Sequence, residues 1–183
     1  MKPIDSRLNQ GETLLTDASA FQRLFTRRHV AIFRFIYGLR GGPNEEVEDL
    51  TMKTFLKAWR SRSRFKGSED DAFRWLLKIA RNLVIDHHRR KSNQQIHLDI
   101  ETQSIAGREK TPEEIVFQME QTRTLWRILE TLPSLHREMI VLRYILGWRV
   151  KDIGNYMEIN ENHVSVTIRR VLKQIKDKWP DHE

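Results

Sequence analysis

No cysteine occurs among the 183 residues. That excludes disulfides, cysteine-ligated zinc and thiol redox sensing within the chain. Long apolar runs are missing as well: no stretch approaches the ~20 residues a membrane helix needs. The N-terminus, MKPIDSRLNQGETLL, lacks the apolar core of a signal peptide. A soluble, cytoplasmic protein without membrane insertion is therefore expected. No run alternates apolar and polar residues with period two, so the fold should be all-α. There is no glycine-rich phosphate loop and no apparent nucleophile–base pair, so the chain does not look like an enzyme and no cofactor is expected.

What the chain has in excess is positive charge, unevenly placed. The formal net charge is +7. Lys57 to Lys91 carry eleven Lys/Arg and four Asp/Glu, a surplus of seven, so the remainder sums to zero. A second cluster, Asn162 to Lys178, has five positive residues and one negative. Localised basic clusters point to contact with a polyanion, although a single charge run is more commonly a solvated helix face.

Two helical segments joined by a basic loop organise the chain. In the first, VEDLTMKTFLKAWR, Met52, Phe55, Leu56 and Trp59 fall on one face, with Glu46 just before it and Asp49, Lys53, Lys57 and Arg60 opposite. The loop carries Arg64, Phe65, Lys66 and Gly67, and Ser68 is placed to cap the second helix. There Ala72, Phe73, Leu76, Ala80, Leu83 and Val84 form the core face, and Arg74, Lys78, Arg81 and Arg89 the opposite side. Trp75, Asn82, Asp86 and Arg89 run between them. Cations for phosphate, an amide for a base edge and a ring for stacking suit a nucleic-acid surface. The alternative is that Trp75 closes the edge of the core.

Before this pair, a helix from a cap at Asp17 to about Leu39 should bury Phe21, Leu24, Phe25, Val30, Ile32, Phe33, Ile36 and Tyr37, and Gly41-Gly42-Pro43 should stop it. After it, residues 92–111 lose periodicity and read as an extended linker. Thr111-Pro112-Glu113-Glu114 starts a helix that should bury Ile115, Met119, Leu125, Ile128 and Leu129. A second should bury Met139, Ile140, Leu142, Tyr144 and Ile145 and end at Gly147. A short helix over Val150 to Met157 and a longer one capped by Asn160, with core stripe Val164, Ile168, Val171, Leu172 and Ile175, have the grammar of a helix-turn-helix. Val166 lies about 160–200° from Val164 and Ile168, and so faces outward beside His163, Arg170 and Lys173.

In this order and spacing, Glu48-Asp49-Leu50, Phe55-Leu56-Lys57-Ala58-Trp59, Phe73-Arg74-Trp75-Leu76, Ile79-Ala80-Arg81-Asn82, Asp86 with Arg89-Arg90, Leu132-Pro133, Arg137, Leu142-Arg143, Ile153 and Val164 carry a resemblance. The chain resembles a bacterial RNA polymerase sigma factor of the sigma-70 family, extracytoplasmic-function (ECF) class. The resemblance implies two small helical domains, a region 2-like bundle over residues 17–91 and a region 4-like helix-turn-helix over 112–183. A tail (1–16) would precede them and a linker (92–111) join them. It implies core RNA polymerase and promoter DNA as partners, with an anti-sigma factor as the usual regulator. Asp49, Lys53, Phe55, Lys57, Trp59 and Arg60 would bind polymerase. Arg64, Phe65, Lys66, Arg74, Trp75, Lys78, Arg81, Asn82, Asp86, Arg89 and Arg90 would read and melt the −10 element. His163, Ser165, Val166, Thr167, Arg169, Arg170 and Lys173 would read the −35 element. The chain departs from the family at Met52, which stands for a glutamine, and at Arg149, which replaces a serine-like cap. Glu158 stands at the turn glycine; a left-handed glutamate costs about 1 kcal/mol, so a differently built turn is expected.

Two other readings compete. A helix-turn-helix regulator acting alone would explain the C-terminal half but not the N-terminal pattern. Asp86-His87-His88 looks like the ligand set of a metal-dependent phosphoesterase, but successive helix positions diverge by about 100°, so no metal is expected there.

Overall fold

A computed structural model describes Leu15 and residues 18–91 and 112–179, with side chains described except at residues 91 and 112–119. Seven α-helices follow in order: α1 (Ala18–Arg40), α2 (Asn44–Ser61), α3 (Glu69–Lys91), α4 (Pro112–Glu130), α5 (Ser134–Ile140), α6 (Val150–Met157) and α7 (Glu161–Lys178). A 3-10 turn, Arg62–Arg64, follows α2, and a π-turn, Val141–Ile145, continues α5. Among the described residues there is no strand. The expected linker, the N-terminal tail apart from Leu15, the caps at Asp17 and Thr111, and the side chains of Ile115 and Met119 lie outside the described residues.

Local chemistry sets several boundaries. Gly41, left-handed at φ 76°, ends α1, and its N–H closes on the Tyr37 carbonyl at 2.8 Å. Ser68 and Asp71 cap α3 reciprocally. The Asp71 N–H donates to Ser68 Oγ at 3.2 Å, and the Ser68 N–H and hydroxyl donate to the Asp71 carboxylate at 3.0 and 2.7 Å. Those bonds hold the Asp71 carboxyl below its usual range. At α7, the Asn160 side chain accepts from the Asn162 N–H at 2.9 Å.

Helices α1, α2 and α3 pack around Ile32, Phe35, Ile36, Val47, Leu76 and Leu77. The buried face of α2 is not the expected one. It is Val47, Leu50, Thr51, Thr54, Phe55 and Ala58, while Met52 and Leu56 are 52% and 48% exposed. Two threonines can line this core because each donates its hydroxyl one turn back, Thr51 to the Val47 carbonyl at 2.7 Å and Thr54 to Leu50 at 2.8 Å. Val30, expected inside, is exposed.

In the C-terminal half, Met139, Leu142, Ile153, Val164, Ile168 and Val171 form the core. The π-turn adds a residue to the helix after α5, with the Leu146 N–H reaching the Val141 carbonyl at 3.1 Å. The register slip carries Tyr144 and Ile145 outward against expectation. Leu125 and Leu172 are also partly exposed; Trp126, next to Leu125, takes the inward position. Arg143 holds the end of the π-turn, donating to the Trp148 carbonyl at 2.8 Å.

The turn between α6 and α7 keeps a glycine-like shape. Glu158 is left-handed, at φ 59°, so the expectation of a different build is corrected. Closure of this turn brings the Ile159 carbonyl so near α6 that a Cβ on Gly154 would sit 2.8 Å from it.

The two halves share one continuous core. The end of α1 meets the π-turn at Gly38, where a Cβ would lie 2.7 Å from a Val141 methyl. Tyr37 meets Trp126 edge to face at 5.2 Å. Arg137 donates to the Leu39 carbonyl at 2.8 Å and to the Glu130 carbonyl at 3.0 Å.

Candidate polymerase and nucleic-acid interfaces

Three exposed helix surfaces carry the residues of interest. On α2, Asp49, Lys53, Lys57 and Arg60 are exposed, with Lys53 paired to Asp49. Phe55 is buried against Phe25, with ring centroids 4.8 Å apart, so it supports this surface from beneath. Trp59 is half-buried between the Phe21 ring at 5.0 Å and the Arg62 guanidinium at 3.5 Å. Reading the helix by its apolar residues alone missed Met52 and Leu56, which form an apolar patch one turn long among these charges. Admitting self-bonded threonines to the core stripe would have exposed them.

On α3, Trp75, Lys78, Asn82, Asp86 and Arg89 follow at spacings of three or four and form one strip. Asn82, Arg89 and Arg90 are exposed, and Asp86 lies 3.9 Å from Arg89. Arg64 and Lys66 are exposed in the preceding loop, but Phe65 is buried. Its ring stacks on Trp75 at 5.0 Å and 25°, so it cannot itself receive a base. Trp75 does close the edge of the core, while keeping part of its ring at the surface. Arg74 pairs with Asp71 at 3.3 Å. Lys78 and Arg81 reach carboxylates of the C-terminal half, Glu158 at 3.7 Å and Glu138 at 2.8 Å. Neither pairing was legible in the pattern of α3.

His87 turns inward, its Nε2 3.1 Å from Glu46 and 3.4 Å from Arg40. Asp86 and His87 therefore have different partners, and among the described residues no cluster of three His, Asp or Glu could hold a metal ion.

On α7, His163, Val166, Arg169, Arg170 and Lys173 are exposed along one side, with Ser165 half-buried. Val166 is 45% exposed. Thr167 is buried, because its position lies beside the core stripe of Val164, Ile168 and Val171. It positions this face from behind.

This fold is similar to that of known proteins. The sigma-70 region 2 profile matches residues 24–94, and the sigma-70 region 4 profile residues 122–175. The chain is 30% identical over 168 residues to the ECF RNA polymerase sigma factor BldN of Streptomyces coelicolor, covering 90% of this chain and 62% of that protein. It is 26% identical over 160 residues to the ECF RNA polymerase sigma factor SigX of Bacillus subtilis, covering 85% and 81%. Its fold matches CnrH, solved in complex with the cytosolic domain of CnrY, at a TM-score of 0.64 and 22% identity over 90% of each chain. It also matches the sigma factor RpoE from Bartonella quintana, solved with the anti-sigma factor NepR, at 0.66 and 18% identity over 88% and 97%. The chain belongs to the sigma-70 family of sigma factors, in the ECF class. It is a transcription initiation factor, not an enzyme. Among the described residues no helix is long and apolar enough to cross a membrane.

Proposed function

We propose that the chain binds core RNA polymerase through α2 and directs it to promoters, α3 and the preceding loop engaging and opening the −10 element while α7 reads the −35 element. The observation that carries this reading is the division of the surface: an apolar patch among charges on α2, and separate basic strips on α3 and α7. Each suits a different partner. Apolar anchors ringed by charge suit a protein, and basic strips with exposed amides suit nucleic acid. An anti-sigma protein as regulator is consistent with the complex in which one fold relative, RpoE from Bartonella quintana, was solved. Acting with polymerase places the chain in the cytoplasm.

Run-off transcription from a promoter library, with and without purified core enzyme, tests the reading. Promoter-specific transcripts are expected only with core. Tight, site-specific binding by the chain alone, unchanged by core, would instead favour a helix-turn-helix regulator acting by itself.

The α2 patch gives a sharper test. Met52→Glu with Leu56→Glu should weaken core binding at least about tenfold, because anchors at the centre of an interface dominate its energy. Reversing Asp49 and Arg60 should act mainly on association rate and salt dependence. Titration of labelled chain with core at several salt concentrations measures both. Undiminished affinity in the Met52/Leu56 variant would remove α2 from the interface.

Val166 offers a second test. An exposed valine among cations has a use in a major groove, where the thymine methyl is the one apolar group on display. Replacing each −35 thymine in turn by uracil removes only that methyl. At one position this should weaken holoenzyme binding about threefold, and leave the Val166→Ala variant unaffected. No coupling at any position would take Val166 off the reading face, leaving Arg169, Arg170 and Lys173 as phosphate contacts.

A further inference from the structure

All the sulfur in this chain is thioether: there are five methionines and no cysteine. Side chains are described for three of the five. Met139 is 0% exposed in the C-terminal core, and Met157 is partly buried against that core at the end of α6. Met52 stands apart, 52% exposed in the middle of α2. Its exposure follows from the helix period. The buried stripe of α2 runs through Leu50, Thr51, Thr54 and Phe55, so position 52 turns away from it, beside exposed Glu48, Asp49 and Lys53. Lys53 and Asp49 pair with each other, which leaves the thioether and Leu56, one turn on, as the apolar part of this surface. A thioether needs no deprotonation to be oxidised, so access to solvent decides which methionine reacts first.

We propose that Met52 is a peroxide-sensitive modification site: oxidation of its sulfur to the sulfoxide lowers the affinity of the chain for core RNA polymerase, and reduction restores it. The inference rests on reading α2 as the polymerase-binding surface. The oxidant is a hydroperoxide, in the simplest case hydrogen peroxide. A sulfur lone pair attacks one peroxide oxygen; the S–O bond forms as the O–O bond breaks. The departing hydroxide takes the proton from the transferred oxygen and leaves as water. Sulfur gives up two electrons and the peroxide accepts them. The product keeps the length of the side chain but carries a strong hydrogen-bond acceptor where an apolar group stood. In the free chain, water solvates that oxygen, so the fold is undisturbed. Seated in an interface beside Leu56, the oxygen loses its water in apolar surroundings, and burial of a polar group without a partner opposes binding. The same coupling runs in reverse: bound polymerase covers Met52, so oxidation falls on the free chain. Met139 is shielded in both forms, which keeps the core of the fold out of the reaction.

Absence of cysteine makes the test direct, because peroxide meets no thiol. Hydrogen peroxide applied to the full chain, with peptide mass spectrometry over time, reads each methionine separately. Met52 should gain one oxygen before Met157 and well before Met139, and added core RNA polymerase should slow its oxidation. Titration with core should then show affinity lowered about 5-fold or more, with far-UV circular dichroism unchanged. Methionine sulfoxide reductases of both epimer specificities, supplied with dithiothreitol, should restore it. Met52→Leu removes the sulfur and keeps an apolar side chain. Peroxide should leave this variant at its own untreated affinity. Oxidation of Met52 no faster than that of Met139, or an equal loss on peroxide treatment in the unmodified chain and in Met52→Leu, overturns the proposal. Complete conversion of Met52 with unchanged affinity also overturns it, and the Met52→Glu/Leu56→Glu variant then tells which reading has failed. Weak binding by that variant would leave α2 as the interface and remove only the switch. Normal binding by it would remove both.

Discussion

Arg40→Leu should destabilise the chain by about 3 kcal/mol, the low end of the range for breaking a buried ion pair. The Arg40 side chain is 4% exposed at the end of α1. Its guanidinium bonds Glu46 of α2, donates to the Gly42 carbonyl at 3.1 Å and lies 3.4 Å from His87 of α3. One side chain thus ties together all three helices of the N-terminal bundle. Burial pulls its pKa down and Glu46 pushes it back up, so the group stays charged and the pair stays ionic. Without Arg40 the Gly42 carbonyl loses a donor and Glu46 loses its guanidinium. Glu46 is one third exposed, so water offsets part of the loss. Arg40→Lys should recover only part of the stability, since an ammonium cannot reproduce the guanidinium fork. Urea unfolding of the full chain followed by far-UV circular dichroism measures both variants. A loss for Arg40→Leu below about 0.5 kcal/mol would class the cluster with surface pairs and remove it from the forces that hold α1 to α2 and α3.

What could be read from the sequence was chemistry that acts within a few residues. Ser68 and Asn160 cap because their oxygens reach donors two or three residues on, and Gly41 ends a helix by its own freedom of φ. These need no knowledge of the rest of the chain. Faces were less legible where burial depends on satisfying a polar group. Thr51 and Thr54 looked polar yet are core, since each bonds the preceding turn. That error hid Met52 and Leu56, the residues best placed to meet a protein partner. Phe65 and Thr167 failed in the opposite direction: near-surface sequence positions turned out to be supports behind the surface. The π-turn after α5 has no local signature, because its wider ring depends on the packing of Val141 against Gly38 and on Arg143 holding the Trp148 carbonyl. Least legible were Arg81 and Lys78. Each looks like a free cation on its own helix, and its carboxylate stands more than fifty residues away in sequence.

Asn82→Ala should slow opening of a duplex promoter by holoenzyme while leaving a pre-melted template nearly unaffected, and Trp75→Ala should slow opening about 5- to 150-fold. Extruding a base costs a few kcal/mol, and stacking it on an aromatic ring returns roughly 1–3 kcal/mol, the basis of that factor. The geometry assigns the two residues different parts. Phe65 stacks on Trp75 from within the bundle, so the indole is held as a platform with little rotamer freedom to lose when a base arrives. Asn82, exposed two turns further along the strip, offers both a donor and an acceptor to a base edge. An amide that captures an unpaired base contributes only once strands part, so a template already melted should bypass most of the need for it. Trp75→Ala also removes Phe65's neighbour, so its effect on opening has to be separated from folding. Trp75→Phe provides that control, restoring an apolar ring against Phe65 and a smaller stacking surface, with opening expected between wild type and alanine. Time-resolved opening with a fluorescent base in the −10 element reads all three variants on both templates. Equal losses for Asn82→Ala on duplex and melted DNA would mean that Asn82 acts before strand separation or only in folding, and the strip on α3 would then be a duplex-binding surface.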